Sequence, residues 1–191
     1  MTRKALDMIF EAQASQVKRL SFRGMSIDEV PGEIGTLSDL TLLDLRGNRL
    51  KDLPPEISGL PNLTTLELSY NNFRTIPSVV FTLRSLRKLI LSFNQLTDLA
   101  VEIARLTNLR VLNLQENFID SLPKEIGSLV TLAELHLRKN GLVAVPRELG
   151  ALSNLTKLDL SFNRFSRLPL TITKLKSLAI LDLQGNRLTG C

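Results

Sequence analysis

The chain of 191 residues has a single cysteine, Cys191, a single histidine, His136, and no tryptophan. A lone cysteine excludes an intramolecular disulfide and a metal cluster held by several cysteines. With a single histidine, the chain has only one imidazole that could act as a general base or bind a metal. The stability of the fold must therefore come from packing and hydrogen bonding.

Long apolar runs are also missing. Asp7 and Glu11 interrupt the apolar residues near the N-terminus, so this segment does not match a secretory signal. No other stretch approaches the roughly 20 apolar residues of a membrane-spanning helix. We therefore expect a soluble protein without a membrane partner.

Lysine and arginine are scattered along the chain and do not form a stripe. The net charge is +5, from 24 Lys and Arg against 19 Asp and Glu. Basic residues fall both on and between the predicted strands, and carboxylates interleave with them. Nucleic-acid binding usually shows a clustered basic patch with stacking aromatics, so we expect no nucleic-acid partner.

What the chain does contain is a phrase of 23 residues that recurs without insertion from Val17 onward. Seven full copies run over 17–177, and a truncated eighth copy runs over 178–191. Seven copies open with leucine and carry apolar residues at positions four and six: they begin at Leu40, Leu63, Leu86, Leu109, Leu132, Leu155 and Leu178. Position nine of these copies is asparagine: Asn48, Asn71, Asn94, Asn117, Asn140, Asn163 and Asn186.

Positions four and six lie two apart, so on a strand they share one face while positions three, five and seven face the other way. One short strand per copy is therefore predicted. Stacking the copies pairs the strands in a parallel sheet and buries the leucines between turns of the coil. The asparagine follows the strand, where its amide can bond main-chain groups of the bend.

The second half of each copy carries three apolar residues at spacings of four and three, as in Leu53, Ile57 and Leu60. This pattern predicts a short helical or 3₁₀ turn on the convex side, opened by a proline such as Pro54. The copy that begins at Leu86 has Ala100 in place of the proline, and we expect a looser turn there.

The phrase L-x-x-L-x-L-x-x-N-x-L is the signature of a leucine-rich repeat, and the chain resembles the leucine-rich-repeat superfamily over nearly its whole length. The resemblance implies an α/β horseshoe-shaped solenoid with a parallel concave β-sheet and convex turns. Extracellular members typically carry paired-cysteine caps, which one cysteine cannot form. We therefore expect a cytoplasmic protein.

The 23-residue copy with L-P-x-x-I-x-x-L is similar to intracellular repeats that scaffold Ras-type signalling, to their plant relatives, and to the repeats of Roco proteins. This resemblance implies a non-enzymatic scaffold or protein-interaction module in signalling, with a small GTPase or another signalling protein as its partner. The alternative is a recognition domain excised from a larger enzyme, either a Roco-type GTPase or a ubiquitin-ligase effector.

Residues 1–16 precede the repeats, and Leu6, Ile9 and Phe10 lie at helical spacing. We expect an N-terminal capping helix at 1–16 and a solenoid at 17–191. The chain stops after the turn at Asn186, so either the last strand is an exposed edge or the sequence is part of a longer protein. An exposed edge invites pairing, and we expect a monomer or a weak end-to-end dimer.

Candidates for catalysis and cofactor binding are weak. The repeat places no serine or cysteine nucleophile beside His136. Glycines occupy turn positions rather than a phosphate-binding loop: Gly24, Gly47, Gly141 and Gly185. Carboxylates are adjacent in two places without further oxygen ligands: Asp44 with Glu67, and Asp159 with Asp182. We expect no catalytic residue, no metal and no cofactor.

The remaining candidate is the outward side of the sheet. Its central copies are mixed in character, and Ile90 is the one apolar residue in position five. We expect Ile90 to be an exposed apolar residue ringed by polar ones, as in an interface hot spot, or an ordinary isolated surface residue. The predicted protein-binding residues are Glu67, Lys88, Ile90, Phe93, Val111, Glu134, His136 and Arg138.

Aromatic residues stand just before the asparagine in three copies: Tyr70, Phe93 and Phe162. Leucine-rich repeats often carry an aromatic residue at this position as part of their consensus. If the rings are exposed, they extend the apolar centre of the concave face toward one rim.

Overall fold

The computed structural model of the protein describes residues 2–189. One helix precedes a series of alternating strands and 3₁₀ turns. The helix and strands are α1 (Thr2–Ala14), β1 (Arg19–Ser21), β2 (Leu42–Asp44), β3 (Thr65–Glu67), β4 (Lys88–Ile90), β5 (Val111–Asn113), β6 (Glu134–His136), β7 (Lys157–Asp159) and β8 (Ile180–Asp182). Cys191, on which the disulfide argument depends, lies outside the described residues.

The eight strands form one parallel sheet in chain order, β1 to β8. Equivalent positions of neighbouring copies pair with each other, so Leu43 lies beside Leu66 and Leu66 lies beside Leu89. These central leucines are fully buried, while the residues on either side of them remain more accessible. The predicted α/β solenoid with a parallel sheet is confirmed.

The convex side consists of seven five-residue 3₁₀ turns. They span Gly32–Thr36, Pro55–Gly59, Ser78–Thr82, Val101–Arg105, Lys124–Ser128, Arg147–Ala151 and Leu170–Lys174. Ala100 adopts φ −63° and ψ 146°, close to the values of Pro54. The turn that lacks proline is therefore as regular as the others, and the expectation of a looser turn is wrong.

The asparagine column forms a continuous hydrogen-bond ladder. Asn94 Nδ2 donates to the Leu68 and Leu91 carbonyls, both at 3.0 Å, and its Oδ1 accepts from the Phe73 amide at 3.1 Å. The Leu68 carbonyl also accepts from Asn71, so successive amides share carbonyls along the stack. Asn94 is 6% exposed, and the ladder satisfies main-chain groups that packing removes from water.

Position eight of every copy has a positive φ. Glycine occupies it in three copies, as at Gly47 with φ +70°, whereas Tyr70, Phe93 and Glu116 adopt φ 55°. The left-handed region costs non-glycine residues roughly 1–2 kcal/mol each. The chain therefore accepts backbone strain where it places larger side chains at this position.

Substituting Gly47 by alanine is expected to lower the free energy of unfolding by about 1 kcal/mol, because the new side chain must adopt the left-handed region. Steric overlap is not the cause, since the nearest atom to an added Cβ is 3.7 Å away. Urea unfolding monitored by circular dichroism measures the loss. An unchanged midpoint would show that the turn relaxes to another conformation.

Helix α1 packs against the first copy. Ala5, Ile9 and Ala12 are buried in the core, while Leu6 is half-buried and Phe10 is 51% exposed. The buried face is thus rotated from the one that the spacing of Leu6 and Phe10 suggested, because the small alanines allow close approach. Within residues 2–189, no helix is both long and apolar enough to cross a membrane.

Candidate recognition surface

The eight predicted binding residues all lie on β3 to β6 or in the turns that follow these strands, but they form two groups. Glu67, Lys88, Ile90 and Phe93 line one shallow depression on the sheet. Glu134, His136 and Arg138 lie further along the stack. Val111 pairs in register with both Lys88 and Glu134, so it joins the two groups.

The depression has a volume of about 340 Å³. It is also lined by six residues that were not among the predicted binding residues: Arg46, Ser69, Tyr70, Ser92, Asn113 and Gln115. Arg46 Nε is buried there without a hydrogen-bond partner within the protein. The sequence signal for these residues was their place in positions five, seven and eight of the repeat.

The expectation that Ile90 is exposed is wrong. Ile90 is 8% exposed and therefore buried, not an exposed apolar residue. It lies between Glu67 and Asn113 in the paired strands. Ile90 thus forms part of the floor of the depression, while accessible apolar area is supplied by Val111 and by the aromatic rings.

Position five of the repeat has a structural role that the sequence did not reveal. Its side chain accepts a hydrogen bond from the backbone amide of position seven: Asp44 from Arg46 at 3.0 Å, Glu67 from Ser69 at 2.9 Å, and Asn113 from Gln115 at 3.1 Å. Asp159 and Asp182 do the same. The adjacent carboxylates are therefore explained by turn formation.

Two copies depart from this pattern. Ile90 has no acceptor side chain, and the His136 imidazole lies 2.9 Å from Glu134, with its Nε2 facing Oε2. The His136 side chain is 14% exposed, so it is less accessible than the sequence suggested. Ile90 and His136 therefore leave position five free of the turn contact that the other copies make there.

The charged side chains near His136 contact each other or an aromatic ring. The Arg138 guanidinium lies 4.2 Å from the ring centre of Phe162, and Lys139 Nζ lies 2.6 Å from Glu116 Oε1. Cation–π and ion-pair contacts of this kind hold long side chains in place. This part of the surface is a network of internally paired groups.

The rings of Tyr70 and Phe93 stack, with centroids 4.2 Å apart and planes inclined by 8°. Tyr70 is 51% exposed and Phe93 is half-buried. Because both residues have a positive φ, the backbone turns their side chains along the rim of the depression. The stacked pair is a rigid, partly accessible apolar edge, and such edges suit protein interfaces.

Among residues 2–189, no group of three or more histidine, cysteine or acidic side chains is placed to hold a metal ion. On the convex side, a hydrogen bond from Arg147 Nε to Glu148 Oε1 at 2.9 Å lowers the pKa of Glu148. That exposed pair lies away from the concave surface.

These features define a class of protein: a repeat solenoid whose parallel sheet presents a curved surface. Residues 12–117 and 94–189 match the model of the leucine-rich repeat region, and the chain belongs to the leucine-rich-repeat family. Solenoids of this kind use their extended concave surfaces for binding. They generally bind proteins or peptides and are typically non-catalytic.

Solved structures support the assignment. A leucine-rich-repeat protein of Leptospira interrogans is 32% identical with a TM-score of 0.73, and the match covers 87% of this chain and 48% of that one. The leucine-rich-repeat ectodomain of the Arabidopsis thaliana receptor kinase GASSHO1/SCHENGEN3, in complex with CASPARIAN STRIP INTEGRITY FACTOR 2, is 33% identical with a TM-score of 0.73. That match covers 92% of this chain and 25% of the ectodomain.

The plant peptide hormone receptor RGFR1, in complex with RGF2, is 27% identical with a TM-score of 0.71. The match covers 83% of this chain and 26% of the receptor chain. The chain thus spans between a quarter and a half of the length of these proteins. The search of curated proteins returned no significant match.

Proposed function

We propose that the protein is a non-enzymatic recognition module that binds a protein partner on the concave face of copies three to six. The observation that carries the proposal is the departure of Ile90 and His136 from the acceptor residues of position five. The stacked Tyr70 and Phe93 beside Ile90 add a rigid apolar edge. A preformed surface loses little conformational entropy on association.

The plant receptors that share the fold were solved with peptide partners, which supports binding rather than catalysis. We further propose a cytoplasmic scaffold in signalling, in which α1 caps a single solenoid domain. The composition supports this location, because one cysteine cannot form a disulfide-linked cap. Fluorescence microscopy of the tagged full-length gene product tests the location, and an extracellular signal would contradict it.

The second candidate is that the solenoid is the recognition part of a larger enzyme, either a Roco-type GTPase or a ubiquitin-ligase effector. The support for this candidate is the resemblance of the 23-residue copy to the repeats of Roco proteins. Sequencing the gene beyond residue 191 distinguishes the candidates. A reading frame that continues into a phosphate-binding loop favours the enzyme, and a stop codon removes it.

We also propose that the protein is a monomer or a weak end-to-end dimer. In β8, Ile180 is 55% exposed and Leu181 is 38% exposed, whereas Leu158 at the equivalent position of β7 is fully buried. Exposed strand residues of this kind favour edge pairing. Analytical ultracentrifugation over a hundredfold concentration range measures it, and a concentration-independent tetramer would contradict it.

Partner capture tests the concave face directly. The variant Tyr70→Ala/Val111→Glu is expected to lose at least 90% of a partner that the wild-type chain retains from lysate, because it removes a ring and places a charge at the centre. The matched control is Phe118→Ala/Val143→Glu, which likewise removes an aromatic ring and replaces a valine with glutamate, at residues that are 66% and 62% exposed outside the sheet.

Both variants must first show the wild-type circular dichroism spectrum. Loss of the partner from the concave variant alone supports the proposal. Loss from the control alone would place binding on the surface that contains Phe118. Equal retention by both variants would remove the concave face as the binding surface.

A further inference from the structure

Position two of the repeat is occupied by threonine in three of the eight copies, and these threonines make the same contact. Threonine at this position donates its hydroxyl to the position-two carbonyl of the preceding copy. The bonds are Thr41 to Lys18 at 2.9 Å, Thr64 to Thr41 at 3.0 Å and Thr156 to Ala133 at 3.0 Å. The other five copies have no threonine there: three carry lysine or alanine, and copies four and five carry arginine, at Arg87 and Arg110.

These two arginines are adjacent in the stack, since the Arg110 amide donates to the Arg87 carbonyl at 2.8 Å. Lys88 follows Arg87 in the chain, and all three side chains are exposed. Neighbouring strands are about 4.8 Å apart, and like charges placed opposite each other are destabilising. The three residues form a cationic edge along the start of β4 and β5.

Within the part of the chain that the structure describes, no ion pair compensates this charge. The ion pairs found among residues 2–189 involve other side chains: His136 with Glu134, Lys139 with Glu116, and Arg147 with Glu148. In the sequence, residues 68–97 contain no aspartate or glutamate. The positive charges of Arg87, Lys88 and Arg110 therefore repel one another without a neighbouring carboxylate in this part of the chain.

The cationic edge is continuous with the apolar centre of the concave face. Lys88 pairs in register with Val111, and Ile90 pairs with Asn113. The charged Lys88 is therefore directly beside the apolar Val111, and Ile90 lies two residues further along the same strand. The stacked rings of Tyr70 and Phe93 then border the opposite end of this surface. The three features lie within three neighbouring copies, the third to the fifth, and form one surface.

We propose that this surface binds an acidic protein segment. Its aspartate or glutamate carboxylates contact Arg87, Lys88 and Arg110, and an adjacent apolar side chain covers Val111 and Ile90. The inference deepens the proposed function and rests on it, since it gives the partner its chemistry. Arginine suits carboxylates because its planar fork donates two parallel hydrogen bonds.

Nucleic acid is the other polyanion that a cationic edge attracts. Proteins that bind single strands offer aromatic faces on which bases stack. Here Tyr70 and Phe93 stack on each other, so no base can be inserted between the two rings. A protein segment with carboxylates and an aliphatic side chain fits the surface better.

The test uses the ¹⁵N-labelled full chain and two amidated 12-residue peptides, one with four glutamates and two leucines, the other with glutamines replacing the glutamates. A 12-nucleotide RNA is the third probe. We expect the acidic peptide to shift the amide signals of β4 and β5 and to bind at least tenfold more tightly than the glutamine peptide. Equal binding of both peptides, or tighter binding of the RNA, would overturn the proposal.

The variant Arg87→Thr/Arg110→Thr separates binding from folding, because it restores the threonine of position two. We expect it to weaken acidic-peptide binding at least tenfold while its melting temperature stays the same or rises. The charge-matched control is Arg49→Thr/Arg74→Thr, which removes two exposed arginines outside the strands. Binding weakened equally in both variants would show a nonspecific charge effect and overturn the proposal.

The outcome is distinguishable from failure of the proposed function. A captured partner that is lost by Tyr70→Ala/Val111→Glu but retained in full by Arg87→Thr/Arg110→Thr keeps the concave face and refutes the acidic segment. A partner lost by both variants, with the arginine control unaffected, supports both proposals. Retention by all variants refutes both.

Discussion

Replacing Asn94 with alanine is expected to lower the free energy of unfolding by about 3 kcal/mol. The Phe73 amide loses its partner in a buried turn, and an unsatisfied buried donor costs about 1–3 kcal/mol. The Leu68 and Leu91 carbonyls each lose one of two amide donors, at roughly 1 kcal/mol per hydrogen bond. No other side chain in the turn supplies these three contacts.

Urea unfolding of the purified variant measures this loss. The matched control is Asn72→Ala in the neighbouring third copy, since Asn72 is half-buried and has one side-chain contact, of 3.4 Å to Gln95. That control should lose less than about 0.5 kcal/mol. If Asn94→Ala loses no more than Asn72→Ala, the ladder does not stabilise the stack.

The substitution Gly127→Ala has the second-largest expected effect, a loss of about 2–3 kcal/mol. Gly127 lies in the convex turn Lys124–Ser128 and packs against the next turn, so an added Cβ would overlap the Glu148 carbonyl oxygen and lie 2.8 Å from the Glu148 Cβ. Backbone cannot move aside as the end of a flexible side chain can. Overpacking of this kind typically costs 1–3 kcal/mol.

The matched control is Gly141→Ala in the neighbouring copy, where the nearest atom to an added Cβ is at 3.4 Å, an ordinary contact. This change should be neutral or slightly stabilising, since alanine reduces the entropy of the unfolded chain. Thermal unfolding of both variants provides the comparison. A smaller loss for Gly127→Ala than for Gly141→Ala would show that the convex turns are not in close contact at Gly127.

These two effects describe how the surface is held. The asparagine ladder sets the path of the chain immediately after each strand, and close packing of the convex turns sets the spacing of successive copies. The ladder and the packing of the convex turns together position the concave side chains. A solenoid transmits such effects mainly between neighbouring copies, so a defect at Asn94 should disturb the depression more than a defect at Asn186.

The repeat made much of this molecule predictable. Each copy packs against a neighbour with the same residue types. The alternation of apolar residues, such as Leu43 and Leu45, with outward-facing residues was therefore enough to predict the strand, its buried face and the parallel pairing. The convex turns followed from the spacing of residues such as Ile57 and Leu60. The asparagine column was predicted to bond main-chain groups, which the structure confirms.

The candidate site was predictable only in part, because its details depend on side chains from copies 23 residues apart. The sequence placed Ile90 on the outward face but could not show that its neighbours bury it, and it could not show the stacking of Tyr70 on Phe93. The 23-residue periodicity of the sequence determined the fold, because every copy must bury the same leucines against its neighbours. Which side chains are paired, covered or available was decided by contacts across the stack, where each copy differs from the next.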